Sequence, residues 1–150
     1  MAQDLRGAED LGKPNIIGLE AAKKACKRLG AKKIKSGKMA VIFDKRVARS
    51  ILSTFASAIS GSAFVRGTSF LKDSLNKKIF TENINIIDNP LIKRGMGSQL
   101  FDSEGAKNKK LTLVDNGELK ELFLDSYNAR ILNMQSNGRC GGSTNLFIDN

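Results

Sequence analysis

The 150-residue sequence contains no histidine. That absence excludes a histidine-based zinc site, a Ser-His or Cys-His nucleophile couple, and an imidazole general base. Carboxylate-only chemistry and lysine chemistry survive it. Cysteine is scarce as well. Cys26 and Cys140 lie far apart, fit no metal-ligand spacing, and are too few for a disulfide framework. They indicate free thiols in a reducing cytosol. No apolar run approaches the ~20 residues needed to cross a bilayer, so no membrane role is expected. Met1-Ala2-Gln3-Asp4-Leu5-Arg6 offers no basic segment followed by an apolar one, which argues against export.

What is present suits a soluble globular protein. Hydrophobic residues make up 41% and charged residues 27% of the chain, enough for one domain with its own core. The net charge is +10, and it is local: residues 21–49 hold eleven Lys/Arg, from Lys23 to Arg49, against the single acid Asp44. Elsewhere the charges balance. Lysines on a helix and in the turn after it usually form a solvated face. The rival reading is a basic nucleic-acid-binding module using residues 23–49. No interleaved stacking aromatics and no recognisable nucleic-acid motif accompany the stripe, so solvation is the preferred reading.

Along the chain, residues 1–14 are polar and aperiodic and read as a lead-in. A central α+β region follows over 15–137, and 138–150 reads as the start of a truncated C-terminal region. Pro14 suits a first helical turn, Ile16, Leu19, Ala22, Cys26 and Leu29 recur at helical spacing, and Gly30 is a natural stop. Lys38–Phe43 has the composition of a strand. Asp44 suits an N-cap for a second helix with Val47, Ile51, Leu52, Phe55, Ala58 and Ile59 on its apolar stripe. Gly61 to Gly67 reads as small and flexible, and Ser69–Asp73 as a short helix or turn. Ile84–Asp88 reads as a strand ending at Asn89-Pro90. The strongest local signal is a hairpin over 110–124, because Asn116 and Gly117 both tolerate positive φ between alternating runs. A helix from Ser126 to Leu132 and a Gly-rich stretch lead to Leu146-Phe147-Ile148, an apolar strand on which the chain stops as if cut. The expected fold is α+β: two helices packed on a mixed or antiparallel sheet, with the hairpin near its centre.

No catalytic set, cofactor site or metal site is complete in these residues. Asp102 and Glu104 could converge on a cation, yet such residues more often fix a loop through backbone N–H groups. Cys140 follows Arg139 and precedes two glycines, where a thiol pKa could fall, but no base accompanies it. Gly95-Met96-Gly97 lacks the third glycine of a dinucleotide loop, and Arg66-Gly67-Thr68-Ser69 lacks the leading glycine and lysine of a P-loop.

Six strings in order nevertheless carry a family likeness. They are Ala58–Gly61, Arg66–Leu71, Ile84–Asp88, Phe101–Gly105, Asn116–Leu119 and Asp125–Arg130. Over residues 30–148 the chain resembles the TldD/PmbA family, and specifically its PmbA (TldE) branch. The resemblance implies a two-subunit bacterial metallopeptidase that cuts flexible peptides in the cytosol. In it a TldD-like catalytic subunit holds zinc through an HExxxH helix and a downstream cysteine, and the PmbA-type partner lacks those ligands. Anchored on Arg66-Gly67-Thr68-Ser69, the family's zinc helix falls here on Leu52, Ser53 and Ser57, none able to replace an imidazole. Cys140 falls too early to be the family's zinc cysteine. The resemblance thus implies a non-catalytic, zinc-free subunit, shorter than its family at both ends, whose partners are the TldD-like subunit and the assembly's peptide substrates.

Overall fold

A computed structural model describes residues 12–149. The lead-in expected over 1–14 lies outside the described residues as far as position 11. The elements, in chain order, are α1 (Pro14–Cys26), α2 (Lys45–Ala58), α3 (Gly61–Val65), β1 (Asn85–Asp88), β2 (Leu111–Asp115), β3 (Glu118–Leu119), α4 (Ser126–Ile131) and β4 (Leu146–Asp149). The strands make one antiparallel sheet in the order β3-β2-β1-β4. The fold is α+β.

The hairpin forms around a two-residue turn in which Asn116 has φ 47 and Gly117 φ 81. Both values suit the right-handed twist of the flanking strands. The pair Asp115↔Glu118 closes it. Its second strand ends at Leu119 rather than Leu124, because the chain turns away to meet α2. Phe123 N–H donates to Ile59 O, and Gly61 N–H donates back to Phe123 O. The hairpin also occupies one side of the sheet instead of its centre. β1 arrives on the free side of β2, with Ile86 opposite Val114, and β4 pairs along the other side of β1, with Ile86 opposite Ile148. The outer edge of β3 is closed by residues 76–80, whose amides at Ile79 and Phe80 both donate to Gly117 O.

One hydrophobic core joins Phe55 and Ile59 at the end of α2 to Ile86, Leu111, Leu113, Val114, Leu119, Leu122, Phe123, Leu124 and Ala129. Ile59, Leu113, Val114, Leu119 and Leu124 are fully shielded from water, each worth about 1.5–3 kcal/mol of apolar burial. Residues 61–67 are not the flexible stretch expected. Ser60 accepts from Ala63 N–H and caps α3, and Gly61 lets α3 approach α4, since a Cβ there would lie 2.9 Å from Asn128 Cβ and Leu124 Cδ2. Asp125 caps α4 in the same way, accepting from Asn128 N–H at 2.6 Å.

Two expectations about the N-terminal third fail. α1 forms, with Pro14 in its first turn, but it buries no residue. Every residue from 12 to 44 is exposed. Only the second half of α2 packs on the sheet, while Val47 and Ile51 from the same stripe stay exposed. Lys38–Phe43 is not a strand. No backbone hydrogen bond is made from residue 32 to residue 43 among the described residues, and a strand cannot persist without a neighbour for its N–H and C=O groups.

Candidate functional site

Asp102 and Glu104 do not converge on a common point. Asp102 is buried in the loop before β2, where Oδ1 accepts from the amides of Glu104 and Ala106 and Oδ2 from the amide of Cys140, all at 2.9 Å. Glu104 turns the other way. Its Oε2 accepts from Ser126 N–H at 2.9 Å and its Oε1 from the Ser126 hydroxyl at 2.7 Å, at the N-terminus of α4. Both carboxylates are spent on donors that fix loops, so a hydrolase built on this pair is not supported by the geometry.

Burial raises the Asp102 carboxyl, but the amides of Cys140, Ala106 and Glu104 and the Arg139 charge outweigh it and hold the group below the usual carboxylate range. A depressed folded pKa contributes stability above the unfolded pKa of about 3.9. That stability is lost as pH falls through the folded value. Asp102→Ala should therefore cost about 2–3 kcal/mol at pH 7, from hydrogen bonds to a charged acceptor. Urea unfolding at pH 7 and again near pH 3 should show the gap between the two proteins closing in acid.

The most enclosed polar cluster was not anticipated from the sequence. Arg139 and Asp88 are both buried and paired, Arg139 Nε to Asp88 Oδ2 at 2.6 Å. The remaining guanidinium donors reach Asn108 Oδ1 at 3.2 Å, Gly138 O at 3.0 Å and Lys109 O at 2.7 Å. Asp88 also accepts from the Thr144 amide at 2.8 Å and the Thr144 hydroxyl at 2.9 Å. The cluster ties the end of β1 to the loops before β2 and before β4. The only local hint was an acid closing an apolar strand, at Asp88.

Cys140 sits beside this cluster, half-buried. Burial pushes its thiol up, and the charges of Glu104, Asp102 and Asp125 push it further. That is the reverse of activation. Alkylation of Cys140 by iodoacetamide should be slower at pH 7.5 than for a free cysteine peptide, and its rise with pH should level off at a higher pH than the peptide's.

The remaining candidates are turns and close approaches. Arg66-Gly67-Thr68-Ser69 closes α3: Gly67 has φ 65, Thr68 and Ser69 amides donate to Ala63 O, and Ser69 Oγ donates to Ala58 O at 2.6 Å. Its amides are engaged within the chain rather than open to a phosphate. In Gly95-Met96-Gly97, the Gly97 amide donates to Asn145 Oδ1 at 2.9 Å, and a Cβ on Gly97 would overlap the Thr144 backbone. The basic residues from Lys23 to Lys38 are all exposed, and Lys24 pairs with Glu20 at 3.5 Å. Leu52, Ser53 and Ser57 lie on α2. Leu52 packs against the core, and Ser57 Oγ donates back to Ser53 O at 3.0 Å. An apolar side chain and two hydroxyls, one turned to its own helix, do not fit a zinc ion. No helix among the described residues is long and apolar enough to cross a membrane.

A family model described as the PmbA/TldA metallopeptidase C-terminal domain matches residues 36–150. The metalloprotease PmbA homolog of Buchnera aphidicola subsp. Acyrthosiphon pisum is 39% identical over 145 residues, covering 97% of this chain and 32% of that relative. The chain thus spans about a third of the length of the curated relatives it matches. A crystal structure from Bacteroides thetaiotaomicron, described as a candidate modulator of DNA gyrase, aligns at a TM-score of 0.87 and 32% identity over 95% of this chain and 32% of that one. TldE from Thermococcus kodakarensis aligns at a TM-score of 0.55 and 28% identity over 67% of this chain and 26% of its own. On the reach of the family match and the identity of these relatives, the chain belongs to the PmbA/TldD metallopeptidase family.

Proposed function

We propose that this chain is a PmbA/TldE-type, zinc-free part of a TldD/TldE-type metallopeptidase assembly that degrades flexible peptides in the cytosol. The observation that carries the reading is the donor set on α2. Where the family resemblance puts an HExxxH helix, this chain has Leu52, Ser53 and Ser57, and it has no histidine anywhere to substitute for them. Zinc and the water-activating base must then come from a TldD-like subunit. This chain's work is protein contact, and its own carboxylates at Asp102 and Glu104 hold loops in place.

Co-purification with the TldD-type subunit of the same genome tests it. The expected result is one size-exclusion peak containing both chains, with peptidase activity that disappears on chelation. Separate elution of two folded proteins would reject it. A second reading, nucleic-acid binding through residues 23–49, is favoured by the exposure of its basic residues from Lys23 to Lys38. It predicts duplex DNA affinity falling along a steep log–log salt slope, about −0.9 per phosphate neutralised. A flat response would leave the peptidase assembly as the better account.

A further inference from the structure

The stretch between α1 and α2 has the composition of a covered strand and none of the cover. Met39-Ala40-Val41-Ile42-Phe43 is a continuous apolar run, which is how a strand reads when both its faces are buried. Yet Ile42 is 98% exposed and Val41 62%. The next turn of α2 continues the same surface, with Val47 and Ile51 about half exposed. No backbone group from 32 to 43 is paired among the described residues. An apolar surface of this extent belongs to an interface.

The Bacteroides crystal structure aligns over 95% of this chain at a TM-score of 0.87, and the unmatched remainder is shorter than residues 31–44. At least part of the stretch therefore lies inside the region shared with a chain about three times as long. In the solved protein, about two thirds of the polypeptide lies outside the aligned region and is available to cover the stretch.

We propose that residues 38–51 are a seat for the polypeptide that makes up the rest of a family-length chain, whether joined to this one or supplied separately. Residues 38–43 add as a strand to a sheet edge of that polypeptide, and Val47 and Ile51 pack against it. Strand addition satisfies the free N–H and C=O groups and covers both faces of the run. A second copy is a poor occupant, because residues 21–49 carry eleven Lys/Arg against one acid and two copies would set like charges together. Nucleic acid is a poor cover for the apolar run itself, since residues 39–43 hold no cation to meet a phosphate, and the cations of the seat flank it at Lys38, Lys45, Arg46 and Arg49.

Hydrogen exchange tests the seat. The isolated chain is compared with a chimaera in which it replaces the aligned third of the Bacteroides protein. Amides 39–43 should exchange at open-peptide rates in the isolated chain and on the order of 100-fold slower in the chimaera. Ile42→Asp should abolish that slowing while leaving the melting of the isolated chain unchanged. A folded chimaera with these amides still fast overturns the proposal. So does protection already present in the isolated chain through dimers, or gained there on adding a duplex oligonucleotide. If the chimaera does not fold, the aligned amides of the intact Bacteroides protein decide: slow exchange supports the seat and fast exchange overturns it.

Discussion

Replacing Arg139 with methionine should destabilise the fold by about 3–5 kcal/mol, the cost of leaving one member of a buried ion pair without its partner. Both side chains are fully enclosed, and Arg139 serves four acceptors besides the Asp88 carboxylate: Asn108 Oδ1 and the carbonyls of Gly138, Asp88 and Lys109. The methionine would take the guanidinium donor from each of them. Asp88 would keep only the two Thr144 donors, in a site closed to water. Urea unfolding at 25 °C reads the loss directly. The double variant Arg139→Met/Asp88→Leu should recover part of it, because a buried pair removed together costs less than a buried charge left alone. A loss below about 1 kcal/mol in the single variant would mean that the pair is hydrated, as exposed pairs are.

Gly117→Ala should cost about 3 kcal/mol or more, against about 1–2 kcal/mol for Gly67→Ala. Both glycines have positive φ, 81 and 65. The left-handed conformation alone accounts for the smaller figure. Their surroundings separate them. A Cβ on Gly67 would meet nothing within 4 Å, whereas one on Gly117 would overlap the carbonyl oxygens of Phe80 and Thr81. Those carbonyls cannot withdraw easily, because the Ile79 and Phe80 amides are bound to Gly117 O and the Gly117 amide to Ile84 O. Equal losses in paired thermal melts would show that the Phe80–Thr81 backbone yields at little cost.

Local features were legible in the sequence to the extent that short-range physics sets them. Asn116-Gly117 gave a turn because both residues accept positive φ. The loop-fixing role of Asp102 was readable for the same reason, since two of its three donors lie within four residues. The pairing of Asp88 with Arg139 was not readable. The partners stand 51 residues apart, and nothing local distinguishes this arginine from one that snorkels to solvent.

Lys38–Phe43 marks the boundary between the two kinds of information. Its residues favour a strand, and that preference is a property of the sequence. Whether it becomes a strand depends on a neighbour, because a single strand satisfies none of its own backbone groups. A helix carries its hydrogen bonds internally, so α1 stands without packing, while the same chain's strands exist only where the sheet brings them together. The sequence by itself determined which residues can turn, cap and coil, and it ruled out a histidine zinc site through the missing imidazoles. Tertiary structure decided which strands pair, which charge is buried against which, and which apolar face is left open, because each of these depends on groups far apart along the chain.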